Sequence, residues 1–277
     1  EGFRKSYRMK IGYQGTAAAT HFYGMQYRIE AQDIASSGWN YNSSTSYITL
    51  SFWIKSSVSY NPSWYLRAKD GTEKIYRWQP GMLVANTWTK LTKTFPGNSS
   101  LTFNNDNGEG LQINLSPYWG TNYSSSNPTM DSWENFDSAT RAKDTDPIWF
   151  ETNGTSTEIT GLQLEVGSSA TKFEHLPYSE DLRRCQRYFY RAAEGVTNAL
   201  GLGVNYTASE MHCAVTFPVT MRATPTLSSA SGTNYYEFIR NGSADWFNSF
   251  TLGNRTTNKI GELYNNSEIS GTVGHGG

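Results

Sequence analysis

The sequence predicts a mainly β protein, in which an antiparallel jelly-roll β-sandwich is followed by a smaller β-rich domain with one helix near its start. Three observations predict this. The 277 residues include 18 Tyr, 9 Trp and 25 Gly, a composition that favours strands and tight turns. Short segments with alternating apolar and polar residues recur through the first two thirds of the chain. The pattern then changes near residue 175, where a helical segment is expected.

The clearest predicted strand is Tyr47–Lys55, which places apolar side chains on one face and polar ones, together with Trp53, on the other. The dipeptide Asp70-Gly71 is typical of a tight hairpin turn. We expect residues 116–138 to be a long irregular loop with embedded aromatic residues. The other strands predicted for the first domain, residues 1–175, are 25–30, 63–68, 72–79, 88–95, 111–115 and 158–166. Short strands at this spacing are typical of a sandwich or jelly roll.

The second domain, residues 176–277, is predicted to begin with a helix at about 179–193. Ser179 is the expected N-cap, followed by two acidic residues that suit the first turn. The expected buried stripe of this helix consists of Leu182, Cys185, Phe189 and Ala192. Strands are predicted at 199–206, 211–219 and 235–239.

Charge and cysteine content exclude several classes of function. The formal net charge is -1, with 23 basic and 24 acidic residues, so no electrostatic partner such as duplex nucleic acid is indicated. No apolar run is long enough for a membrane span, so no membrane insertion is expected. Cys185 and Cys213 have no metal-ligand spacing. We expect both to be buried free thiols, as suits assembly in a reducing cytoplasm.

Loop aromatics flanked by Asn, Asp and Gln are the natural candidates for holding a glycan, because sugars present both apolar faces and hydroxyl groups. The candidate glycan-binding residues are Trp39, Trp64, Trp119, Tyr123 and Trp133. The alternative is that these rings fix loops to the sandwich or fill a subunit interface. The glycan hypothesis requires at least two of them to be exposed together.

An oxygen-rich loop is a candidate Ca²⁺ site, although no cofactor is required. Its candidate ligands are Asn104, Asp106, Asn107 and Glu109, which lack the complete spacing of an EF-hand loop. An Asx turn explains the same residues equally well.

Enzymatic activity is not expected. The candidate carboxylates for glycan cleavage fall into two groups in polar loops, Asp144, Asp146 and Glu151, and Asp131, Glu134 and Asp137. Neither a nucleophile elbow nor a phosphate-binding loop occurs, and the four histidines are scattered. These features favour binding over catalysis.

Several segments taken together resemble tail-fibre and structural proteins of bacteriophage virions. They are MQYRIEAQDI at 25–34, YITLSFWIKSS at 47–57, TWTKLTKTFPG at 87–97, NNDNGEGLQI at 104–113, and ITGLQLEVGSSATKFEHLPYSEDLRRCQRYFYR at 159–191. Beyond Arg191 the match is loose and confined to 215–228.

The resemblance implies a first domain similar to a carbohydrate-binding module, followed by a distal tip domain. It further implies a homotrimeric fibre or spike, displayed on the virion with other virion proteins and attached to a bacterial surface glycan. Such a protein assembles in the host cytoplasm and is released by lysis. Since the sequence begins at Glu1 without an initiator Met, an upstream virion anchor is compatible with it. The rival functions are a purely structural spacer or head decoration and a glycan depolymerase.

Overall fold

A computed structural model describes residues 2–12, 15–240 and 242–277. The chain is mainly β, with antiparallel sheets, as predicted. It divides into two compact units, residues 1–174 and residues 175–277. The division predicted from the sequence lies after residue 175.

The first unit is built from short strands and two short helices. Among the described residues its elements are β1 (Tyr7–Lys10), β2 (Phe22–Tyr23), β3 (Gln26–Glu30), α1 (Ala31–Ala35), β4 (Tyr47–Ser56), β5 (Trp64–Ala68), β6 (Lys74–Trp78), β7 (Thr89–Pro96), β8 (Glu109–Asn114), β9 (Tyr118–Trp119), β10 (Ser124–Ser125), β11 (Trp133–Asn135), β12 (Ala142–Lys143), α2 (Ile148–Glu151) and β13 (Ser156–Val166).

Two sheets form the sandwich. The first has the order β1-β13-β4-β7 and the second the order β11-β6-β5-β8-β3, with antiparallel pairing throughout. Among the described strands of this unit, eight have four or more residues. Counted along the chain, they give the orders 1-8-3-6 and 5-4-7-2, in which successive strands mostly change sheet. This is the strand order of a jelly roll, so the predicted fold class is confirmed.

The alternation predicted for the central strand is present in β4. Ile48, Leu50, Phe52 and Ile54 are all buried between the sheets. Their neighbours in the core include Trp64 and Trp78 of the second sheet, Phe95 of the first sheet and Trp149 of α2. The hairpin of β5 and β6 turns at Asp70-Gly71, where Gly71 has a φ of +61°, a conformation that favours glycine.

The stretch predicted to be irregular, residues 116–138, contains three short strands instead. β9 pairs with β2, β10 pairs with β12, and β11 extends the second sheet beyond β6. Each has only two or three residues. Segments of this length are too short to show an alternating pattern, which explains why the sequence did not reveal them.

The second unit is a small sheet with a separate hairpin. Its described elements are α3 (Tyr178–Gln186), β14 (Gly203–Asn205), β15 (Met211–Thr216), β16 (Tyr236–Arg240), β17 (Ser243–Phe247), β18 (Thr251–Leu252) and β19 (Ile260–Asn265). The sheet has the order β14-β15-β19-β18, and β16 pairs with β17. Its core includes Met211, Val215, Phe238 and Phe247.

The helix of the second unit differs from its prediction. It spans Tyr178–Gln186, begins after Pro177 rather than Ser179, and buries none of its residues. Cys185 is exposed, so the expectation of two buried thiols is wrong for Cys185 and right for Cys213.

The helix ends early because the chain after it makes other contacts. The carbonyl of Arg187 accepts a hydrogen bond from the Arg222 amide at 2.8 Å. Three aromatic residues follow, and Tyr190 packs against Phe217 in the core of this unit. Aromatic residues in succession also form helices less readily than straight-chain ones.

Candidate functional site

The predicted glycan-binding tryptophans lie in the interior of the first unit. Trp39, Trp64 and Trp133 are buried, and their indole N–H groups donate to backbone carbonyl oxygens at 3.3, 3.1 and 2.7 Å. Their ring faces contact other aromatic rings of the core. We therefore correct the assignment for these three residues, because a buried ring cannot stack on a sugar. The alternative role, fixing loops to the sandwich, agrees with these contacts.

Trp119 and Tyr123 belong to a separate aromatic cluster. Trp119 is buried beneath Phe22, with the ring centroids 5.5 Å apart, while Tyr123 is partly exposed. The Arg141 guanidinium lies 5.5 Å from the Trp119 ring centroid and 5.1 Å from that of Tyr123. Of the five candidates only Tyr123 retains partial exposure, so the required pair of exposed rings is not formed.

The candidate calcium loop is engaged in local hydrogen bonds. The amide and side chain of Asn104 donate to the two carboxylate oxygens of Asp70, both at 2.9 Å. Asp106 accepts from the Gly108 amide at 2.8 Å, as in an Asx turn. Glu109 lies 3.6 Å from Arg28. Asn107, the fourth candidate, also makes an interaction. Calcium binding here stays a prediction.

The candidate catalytic carboxylates also have partners. Two of them form ion pairs, Glu134 with Arg77 and Asp131 with Lys93. Three accept a hydrogen bond from a backbone amide: Asp137 from Ala139, Asp146 from Ile148, and Glu151 from Ala17. Asp144 accepts a hydrogen bond from the Ser124 hydroxyl. Each group thus has a structural role in its loop.

A cleft that the sequence analysis did not assign lies on the outer face of the first sheet. We call it the tryptophan cleft; it is lined by Gly2, Phe3, Arg4, Lys5, Ser6, Trp53, Trp88 and Thr160. Its volume is about 340 Å³, within the range of small-molecule sites. Trp88 is exposed and Trp53 is partly exposed. Two indole rings therefore border the same open space.

The strands of the first sheet fix the position of both rings. Trp53 lies at the centre of β4, opposite Thr160 of β13 and Lys90 of β7. Its neighbours Phe52 and Ile54 point into the core, so alternation directs Trp53 outward. Trp88 immediately precedes β7, which begins at Thr89.

The N-terminal segment forms the other wall of the cleft. It is held by a hydrogen bond from the Thr160 hydroxyl to the Lys5 carbonyl at 2.8 Å. Phe3 packs on Gly161, at a register shift in β13 where Gly161 has a φ of +62°. A Cβ at Gly161 would lie 2.3 Å from the Phe3 ring, so this close approach requires glycine. The local sequence of β13 therefore shapes the cleft.

An ion-pair network borders the cleft. Lys55 contacts Glu158 at 3.0 Å and lies 5.1 Å from the Trp88 ring centroid. Glu158 also accepts a hydrogen bond from the Ser6 hydroxyl at 3.0 Å. The hydrogen bond from Lys55 lowers the pKa of Glu158 below its ordinary value, in spite of partial burial, and Ser6 adds to the effect. The Glu158 carboxylate is therefore favoured in its ionised form and is already paired with Lys55 and Ser6.

One sequence signal pointed towards this cleft. The alternation of β4 places Trp53 as an aromatic residue on an otherwise polar face. The position of Trp88 could not be inferred, because it depends on which side of the sheet the preceding loop approaches.

A charged cluster occurs on the sheet of the second unit. His212 is held between Glu210 and Glu262, which lie 2.9 Å from its two ring nitrogens, and its ring stacks on Tyr264. Arg255 contacts Glu262 at 2.9 Å. With both ring nitrogens engaged by carboxylates, His212 has no nitrogen left to act on a substrate.

Two other kinds of site are absent from the described residues. In that part of the chain no group of three or more His, Cys, Asp or Glu side chains could hold a metal ion. None of its helices is long and apolar enough to cross a membrane.

Comparisons with known proteins leave the family open. No family model matches the sequence, and no curated protein matches it. A comparison with solved structures gives the tripod (BppUct-A-L) from the baseplate of bacteriophage Tuc2009, at 10% identity and a TM-score of 0.23, covering 98% of this chain and 100% of that chain. A TM-score this low supports no structural argument.

Proposed function

We propose that this chain is a non-enzymatic adhesion subunit of a bacteriophage fibre or spike, and that it binds a host-surface glycan through the tryptophan cleft. The observation that carries the proposal is the pairing of Trp53 and Trp88 beside a cleft with hydroxyl and cationic groups. An indole face suits the apolar face of a sugar ring, and the polar groups suit its hydroxyls. The resemblance of five segments to phage virion proteins supports the setting.

Features of the carboxyl groups favour binding over hydrolysis. A general acid in a glycosidase needs a raised pKa. The pKa values of the carboxyl groups of Glu73, Glu158, Glu165 and Glu262 are all shifted downward. Of these, only Glu158 borders the cleft, where Lys55 engages it. A depolymerase would release reducing ends from a bound polysaccharide.

Multivalency would make such a cleft effective. A single open site of this size is expected to bind a sugar weakly, whereas three linked copies raise the apparent affinity through effective concentration. We propose a homotrimer. Light scattering should give a mass of three times the 31.1 kDa chain, and a monomer would contradict this part of the proposal.

The second candidate function is a structural spacer of the virion. The burial of Trp39, Trp64, Trp119 and Trp133 favours it, because these rings stabilise the sandwich rather than form a binding surface. A spacer has no need for a ligand, so the two functions differ in whether any glycan binds.

The test is an array of bacterial surface polysaccharides probed with the whole protein and with Trp88→Ala. Trp246→Ala is the matched control, since Trp246 is exposed to a similar degree, 48% against 38%, but lies in the other unit. Adhesion predicts reproducible hits that weaken at least tenfold in Trp88→Ala and persist in the control. If no glycan binds, or if Trp88→Ala binds the same glycans as tightly as the wild type, the spacer function is favoured.

A further inference from the structure

The tryptophan cleft is lined by charged residues of one sign. Of its lining residues, Arg4 and Lys5 are cationic and none is acidic, and the carboxylate of Glu158 at its border is paired with Lys55. Both side chains are exposed. No ion pair to either is found within the described residues. The cleft therefore presents two available cations to whatever enters it.

The basic character extends along the segment that forms the wall. Residues 1–10 contain four basic residues, Arg4, Lys5, Arg8 and Lys10, and one acidic residue, Glu1, while the whole chain has a net charge of -1. The ion pair between Arg8 and Glu158 is long, at 4.0 Å, and Lys55 is the closer partner of Glu158 at 3.0 Å. The segment that forms the wall thus carries a local excess of positive charge.

We infer that the cleft takes an acidic glycan, in which a carboxylate or phosphate group contacts Arg4 and Lys5 while a sugar ring lies against Trp88. The inference rests on the proposed function and adds the class of ligand. Arg4 can form two parallel hydrogen bonds to a planar carboxylate or a phosphate, and Lys5 adds a point charge. A neutral glycan would leave both cations without a counterpart.

The same combination of cations and aromatic rings suits single-stranded nucleic acid. The net charge of -1 and the small extent of the cleft favour the glycan. An oligothymidylate is therefore included as a probe in the test.

The test uses the polysaccharide array with acidic and neutral members, followed by calorimetry on the strongest hits. The variant is Arg4→Gln with Lys5→Gln. Its control is Arg183→Gln with Arg184→Gln, which makes the same charge change on the exposed helix α3. The side chains changed are exposed, and thermal melting checks that each variant is folded.

The inference predicts that acidic glycans dominate the hits and that the Arg4 and Lys5 variant binds them at least tenfold more weakly, with little change in the control. Affinity should also fall as salt is raised. If neutral glycans dominate the hits and the Arg4 and Lys5 variant binds them as tightly as the wild type, the inference is overturned and adhesion through the cleft still stands. Binding of oligothymidylate in preference to every glycan would overturn it as well. If no glycan binds, or if Trp88→Ala leaves the affinity unchanged, the proposed function itself is overturned.

Discussion

Trp64 and Trp88 are both tryptophans at the start of a strand, yet Trp64 lies in the core and Trp88 lies on the surface. Trp64 is the first residue of β5 and Trp88 immediately precedes β7. Trp64 is fully buried against Phe52 and Trp78, whereas Trp88 is 38% exposed beside Lys55. The difference is the face of the sheet that each ring meets. Trp64 packs between the two sheets, whereas Trp88 lies on the outer face and stays exposed.

The largest expected effect compares the two rings directly. Trp64→Ala removes a fully buried indole and should lower the free energy of unfolding by about 3–5 kcal/mol. Trp88→Ala removes an exposed ring and should change it by less than about 1 kcal/mol. Denaturant titration measures both. Equal losses in the two variants would contradict the distinction between the faces.

A smaller effect is expected when an ion pair with a buried cation is compared with an exposed ion pair. Arg77 is fully buried and pairs with Glu134, so Glu134→Gln weakens the partner of a buried cation. We expect a loss of about 1–3 kcal/mol in the free energy of unfolding. Asp131→Asn is the control, because that pair with Lys93 is exposed and should contribute at most about 1 kcal/mol. A larger loss in the control would reverse the comparison.

A still smaller effect is expected from pH at the edge of the tryptophan cleft. Because the pKa of Glu158 is lowered in the folded state, its stabilisation is complete above the ordinary value of 4.5 and is lost as pH falls through the lower, folded value. Glu158→Gln should therefore lose less stability than the wild type between about pH 5 and pH 3. Unfolding titrations across this range measure the two slopes. Identical slopes would show that Lys55 does not hold the carboxylate.

The last comparison, between an exposed and a buried cysteine of the second unit, concerns chemical labelling and involves no change in stability. Cys185 is exposed and Cys213 is buried, and burial raises the pKa of the Cys213 thiol. A thiol reagent should label one cysteine quickly in the native protein and the second only after unfolding. Mass spectrometry should locate the fast label at Cys185. Fast labelling of both thiols would indicate that the core around Cys213 is open.

Much of the sandwich could be predicted because its strands follow a simple alternation. β4 is the best case, with four apolar residues on the inner face. β19 shows why other strands were missed, since its inward residues are Gly261, Leu263 and Asn265, while Ile260 points outward. Hydropathy alone does not reveal such a strand. Its inward face is fixed by pairing with β15, a contact between residues distant in the sequence.

The binding site was harder to predict than the fold. Loop aromatics were chosen because of their polar neighbours in the sequence, and Trp39 and Trp133 have such neighbours yet are buried. Exposure depends on which sheet face a loop returns to, which the local sequence does not encode. Trp53 was the exception, because strand alternation carries that information.

Calorimetry on the strongest glycan hit, with the wild type, Trp88→Ala and Trp246→Ala, tests the central claim most directly. If the outer-face tryptophans form the binding surface, Trp88→Ala should weaken binding at least tenfold with its stability nearly unchanged. Trp246→Ala, which alters an exposed ring in the other unit, should bind like the wild type. Equal affinity of all three proteins would contradict the assignment of the tryptophan cleft as the site of adhesion.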